Sequence, residues 1–112
     1  MVTYLVGKKK IQSPSYHYLP YAVRSNLKKG IKLYKQGYAG MGLTSNTVAE
    51  ARKMLLTGNV SESKLIKMRA WFARHDAAGY KRISNPPSPG YVAFLLWGGA
   101  SGRTFAKRVL SK

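Results

Sequence analysis

Apolar positions recur at helical spacing in five stretches of this chain, each bounded by residues that start or stop helices. After Pro20, whose fixed φ suits a helix entry, Val23, Leu27, Ile31 and Tyr34 repeat at intervals of four, four and three. That spacing predicts a helix over 21–36 with those four residues as its buried stripe. Gly37, Gly40 and Gly42 end it and form a loop. Thr44 or Ser45 can cap a second helix over 45–57, in which Val48, Ala51 and Leu55 face inward and which Gly58 stops. Ser61 caps a third, over 62–78, with Val60 and Leu65 at the positions of a hydrophobic staple. Its apolar arc holds Leu65, Met68, Trp71, Phe72 and His75, with Lys67 and Arg74 on the opposite face, and Gly79 ends it. The turn from Ser84 to Gly90, rich in proline, then sets up a short apolar helix over 90–97. Gly98 and Gly99 break that helix. The last one, over 102–111, buries Phe105, Ala106, Val109 and Leu110 and presents Arg103, Lys107 and Arg108 outward.

Residues 1–20 lack this periodicity. They hold two short apolar pieces, the basic triplet Lys8, Lys9 and Lys10, and a Ser-Pro-Ser turn, so they read as an extended basic and aromatic arm. A strand at Val2 to Val6 has no obvious partner, and the arm is expected to pack across the helices. Tyr16, Tyr18 and Tyr21 around His17 have two readings: anchors of the arm to the core, the commoner use, or platforms for exposed bases beside the lysines. The architecture expected is all-α, a compact bundle of about five short helices in a single domain over 21–112, preceded by the arm.

Composition supports a folded domain and adds one strong constraint. Of 112 residues, 45% are hydrophobic and 12% aromatic, enough for a real core. Cysteine is absent, which removes disulfides, thiolate metal sites and cysteine nucleophiles and leaves the compartment open. The longest apolar run, Tyr91 to Trp97, is far short of the ~20 residues that span a bilayer, and no signal-peptide core follows Lys10. An intracellular protein, or one carried inside a particle, is expected. Against 20 Lys and Arg stand only 3 Asp and Glu, a formal charge of +17. Solubility asks for a magnitude of about 2 to 8 in a small domain, so the excess points to a polyanionic partner rather than to a merely solvated surface. Nucleic acid is the first candidate, anionic membrane the second and an acidic protein the third.

The position of the charge sharpens this. Arg24, Lys28, Lys32 and Lys35 follow the apolar stripe of the first helix one residue later, about 100° around it and extending for about 16 Å. Like charges at i and i+4 destabilise an isolated helix, so the stripe is unfavourable unless something anionic lies against it. With Lys8, Lys9 and Lys10 of the arm and Arg103, Lys107 and Arg108 of the last helix, these residues form the candidate phosphate-binding set. The run from Tyr91 through the glycine turn to Val109 also has the outline of a helix-turn-helix. Any two packed helices joined by Gly-Gly share that outline, and core packing of Phe94, Trp97 and Phe105 is the preferred reading.

Several blocks between Val48 and Val109 resemble a small family of mostly unnamed tailed-phage proteins: Ala51 to Ser61, the Lys67 to Asp76 block with Arg74-His75, the Pro86 to Gly99 block ending in Leu96-Trp97-Gly98-Gly99, and Gly102 to Val109. The resemblance covers a little over half of the chain. It implies a phage setting and a role near genome or capsid, and no established activity. Phe94 and Phe105 stand where that pattern usually has Trp, and Ala100 where it usually has Asp. The missing acid weakens any reading of this loop as an active site.

Catalysis would have to be built from three acids and two histidines. His75, Asp76 and Asn85 loosely suggest a metal-dependent nuclease, yet no second metal-binding His follows Asn85. Glu50 and Glu62 sit in first turns, where carboxylates favour the helix dipole, and His75 reads as a core histidine giving one hydrogen bond. Gly37 to Gly42 lacks the Gly-Lys-Ser/Thr ending of a phosphate loop. No enzymatic activity, cofactor or metal is expected. Two functions remain: a small basic protein that binds nucleic acid by its phosphate backbone, duplex DNA ahead of RNA, or a structural virion component placed by its arm and tyrosines against other phage proteins. Host cytoplasm or virion is the expected location. A ribosomal-type RNA-binding protein fits the composition, but the phage resemblance argues against it.

Overall fold

The computed structural model describes residues 16–39, 45–75 and 87–111. Helices α1 (Tyr21–Lys35), α2 (Ser45–Thr57), α3 (Glu62–His75), α4 (Pro89–Leu96) and α5 (Gly99–Leu110) are joined by a two-stranded ribbon of β1 (Tyr16–Tyr18) and β2 (Asn59–Ser61). The all-α class is therefore correct. Helix α1 lies against α4, α2 and α5, and α3 packs on α5. The apolar stripes converge on one core: Val23, Leu27 and Ile31 of α1, Val48, Ala51 and Met54 of α2, Leu65, Met68, Trp71 and Phe72 of α3, most of α4, and Phe105 with Ala106 of α5. Tyr34, Leu55, Val109 and Leu110, read as fully inward, sit half-buried at its rim. The α3 entry is as the sequence implied, since the Lys64 amide donates to Ser61 Oγ at 3.1 Å and both staple residues, Val60 and Leu65, are buried.

Two glycine positions set how closely helices approach. A Cβ on Gly30, in mid-helix, would lie 3.0 Å from Leu95 Cβ and from the backbone nitrogen of Leu96, so any larger residue there would push α4 outward by a few tenths of an ångström. At the α4 to α5 corner Gly98 adopts φ 110°, a left-handed conformation open to glycine, and its carbonyl accepts from Asn26 Nδ2 at 2.8 Å. Asn26 of α1 thereby ties the corner down.

The structure corrects four expectations. Helix α5 begins at Gly99 rather than at residue 102, because the Gly98 carbonyl already accepts from the Gly102 amide at 3.0 Å and the Gly-Ala-Ser-Gly run forms the first turn. Helix α4 begins at Pro89, inside the supposed turn: Ser88 Oγ accepts from the Tyr91 amide at 3.1 Å, and proline at the first helical position lacks an N–H that would have no partner anyway. Helix α1 ends at Lys35, one residue early, with Gln36 as its cap. Residues 16–18, read as part of an extended arm packed across the helices, form a strand. Gly58, at φ 72°, ends α2 and leaves Asn59 to Ser61 extended, and β1 pairs antiparallel with that edge, His17 opposite Val60. The Leu19 amide then donates to Gly58 O at 3.0 Å, and its side chain is buried. His17 Nε2 reaches Glu62 Oε2 at 3.3 Å, holding the ribbon to α3. The strand read at Val2 to Val6, the triplet Lys8 to Lys10 and the helix extension to residue 78 lie outside the described residues.

Candidate nucleic-acid interface

Arg24, Lys28, Lys32 and Lys35 are all exposed, on the side of α1 that packing of Val23, Leu27 and Ile31 leaves free. The structure adds what periodicity does not contain: this face is one wall of a groove between α1 and α2. One part of the groove, about 520 Å³, is lined by Tyr21, Arg24, Ser25, Lys28 and Leu55. It continues past Lys28 and Leu55 into a second part of about 710 Å³ that reaches Lys29, Lys32 and Lys35. Leu55 supplies an apolar floor to both, and Lys29, which the stripe reading omitted, joins the basic wall. Among the described residues, no acidic one lines either part. Tyr21 is 77% exposed at one end, and Leu56, next to the floor residue, is 88% exposed.

The remaining sites divide. Lys107 and Arg108 are exposed and Arg103 is half-buried, but none of the three lines the α1–α2 groove. Arg108 instead borders a separate recess with Pro20, Ala22 and Thr104, its guanidinium 5.5 Å from the Phe105 ring. The α1 cations are thus brought together, and the α5 cations form a second patch. Phe94 and Phe105 are buried and Trp97 half-buried, the core role read for them.

His75 is half-buried, its Nδ1–H donates to the Trp71 carbonyl at 2.9 Å, and its ring stacks on Trp71 at 4.4 Å. Asp76 and Asn85 lie outside the described residues, among which no group of three His, Asp or Glu side chains could hold a metal ion. Among the same residues no helix is long and apolar enough to cross a membrane.

Sequence reading missed Lys64. Its side chain is 8% exposed, with Nζ 4.0 Å above the Trp97 ring and 3.9 Å from Glu50 Oε1. Burial pushes the amine down from 10.5 to about 8; Glu50 opposes that shift, and nearby Lys67 adds to it. Trp97 in turn stacks on Trp71 at 5.5 Å. A signal existed, because Lys64 precedes Met68 by four, placing it on the same arc as Met68, Trp71 and His75. Glu50, read only as a helix-dipole residue, is the carboxylate that faces it.

No protein-family model, curated protein or solved structure matches the chain.

Proposed function

We propose that the protein binds nucleic acid through its phosphate backbone, duplex DNA ahead of RNA and largely without regard to sequence. The observation that carries this reading is the row of Arg24, Lys28, Lys29, Lys32 and Lys35 along α1, with no acid among the described residues that line the groove, in a chain of formal charge +17. A wall of about 16 Å parallels roughly five phosphates of one strand at 3.4 Å of axis each. The like-charge repulsion along α1 is relieved when phosphates lie against it. Lys107 and Arg108 offer a second point of attachment, and Lys8, Lys9 and Lys10 add cations from the N-terminal stretch. The phage-family resemblance supplies a setting in which a small basic protein meets packaged or replicating DNA.

The test is the salt dependence of binding to a duplex. With about 5 to 8 phosphates neutralised, log K falls against log salt with a slope of about −0.9 per phosphate. The double change Lys28→Gln and Lys32→Gln makes that slope shallower by roughly two and weakens binding to all sequences alike. A double variant that keeps the parent's slope moves the binding surface off α1.

One observation favours a second reading. Tyr16, Tyr18, Tyr21, Leu56 and Ile66 are large and exposed, a set that suits protein contacts in a virion component. Under that reading the parent protein binds capsid or tail protein tightly in the presence of nuclease.

A further inference from the structure

Phosphate contacts occupy the cations of the α1–α2 groove and make no use of its apolar residues. Tyr21 precedes Arg24 by three residues, so it begins the same face of α1 that carries Arg24, Lys28, Lys32 and Lys35. It lines the groove and is 77% exposed, not packed into the core as a tyrosine that anchors the N-terminal stretch would be. Leu55 of α2 lines both parts of the groove and is half-buried, and its neighbour Leu56 is almost fully exposed. Leaving an aromatic ring and a leucine side by side in water beside a row of cations is unfavourable, and such a patch marks a surface that something covers. From Tyr21 to Lys35 that surface extends about 21 Å along α1, long enough for several nucleotides.

A duplex cannot meet both needs. Its bases are paired and stacked inside, and it turns phosphate and sugar to a protein, with only base edges in its grooves. An unpaired strand carries phosphates along one side and free base faces along the other. A basic groove combined with an aromatic ring and apolar surface suits that strand. A membrane surface asks for apolar groups that project past the cations, whereas Leu55 is recessed between two helices with the cations on the wall. We propose that the groove takes an unpaired stretch of DNA strand, its phosphates on Arg24, Lys28, Lys32 and Lys35, one base stacked on Tyr21 and its neighbours against Leu55. This rests on the backbone binding proposed above and adds a preference to it: a blunt duplex is held by the cations alone, and a single strand or an overhang gains the stacking as well. Every base has a π face, so the binding stays largely indifferent to sequence. The C5-methyl of thymine adds to the contact with Leu55, which favours DNA over RNA.

The test compares a labelled oligothymidylate of about 12 nucleotides with a blunt duplex of the same length, titrated with the full-length protein across a salt series. Stacking is not screened by salt, so at about 0.3 M the single strand should bind at least about 5-fold tighter than the duplex. Tyr21→Ala should reduce that preference by about 5- to 100-fold, the worth of one stacked base, and Tyr21→Phe should keep it. Tyr21 is exposed, so neither change threatens the fold. Binding of neither probe by the parent ends the backbone reading and this proposal together. Equal binding of both probes, with Tyr21→Ala no different from its parent, keeps the backbone reading and overturns the proposal alone. Three further results overturn it by giving the groove another occupant. They are tighter binding of oligouridylate than of oligothymidylate, retention on phosphatidylserine-containing vesicles that Tyr21→Ala abolishes, and a dimer that Leu55→Ser dissociates without changing the strand preference.

Discussion

Replacing Lys64 by Met should stabilise the protein at neutral pH. Lys64 is 7% exposed and the pKa of its amine falls from 10.5 to about 8, so the folded state holds the ammonium at a cost. At 1.36 kcal/mol per pH unit that cost is about 3 kcal/mol. Met fills a similar volume without a charge but gives up the contact with Trp97, a cation–π pairing of about 0.5–2 kcal/mol. Glu50, left without its cation, is 41% exposed and rehydrates cheaply. The expected net gain is about 1–3 kcal/mol at pH 7, a rise in urea midpoint of about 0.5–1 M for a protein of this size. The pH dependence gives the decisive control. Between about 8 and 10.5 the unfolded chain binds a proton at this site that the folded protein does not, so the stability of the parent rises with pH across that window. Below it both states are protonated and the full penalty applies; above it both are neutral and the penalty is gone. The advantage of Lys64→Met should therefore shrink by roughly 2 kcal/mol between pH 7 and pH 10, other lysines and tyrosines cancelling in the difference. Urea denaturation of both proteins at the two pH values measures it. A variant less stable than its parent at pH 7, with the same offset at pH 10, would refute the reasoning.

Other changes probe the remaining elements. Gly30→Ala should cost about 1–3 kcal/mol in denaturant titration, because the added Cβ meets the α4 backbone and outweighs the roughly 1 kcal/mol gained in helix propensity. Trp71→Ala, which empties a buried site and removes the platform under both Trp97 and His75, should cost about 3–5 kcal/mol by the same measurement. Trp97→Ala should uncover Lys64 and return its amine toward the ordinary lysine value, read from the pH dependence of its labelling rate. The Lys28→Gln, Lys32→Gln double variant should be as stable as its parent or a few tenths of a kcal/mol more so, since the like-charge stripe on α1 is relieved.

What could be read from the sequence was what depends on neighbours three or four residues away. The repeat of Val23, Leu27 and Ile31 fixed which side of α1 is buried, and with it which side carries Arg24, Lys28, Lys32 and Lys35, because both stripes ride on one helical period. Ser61 with Val60 and Leu65 likewise located the start of α3 from local chemistry alone. Contacts distant along the chain were decided by the tertiary structure. The ribbon of Tyr16–Tyr18 with Asn59–Ser61 joins segments with a whole helix pair between them, and three-residue strands carry no periodic signal of their own. The glycines at the α4 to α5 corner could have marked a loop or a helix start; Asn26, donating from α1 to Gly98 O, selects the latter. The basic face became the wall of a groove only because α2 sets Leu55 beside it. Lys64 shows the limit most sharply. A lysine on an apolar arc usually extends its amine to water, and here Trp97 from the far corner closes over it, so only the packed structure turns a common residue into a buried amine.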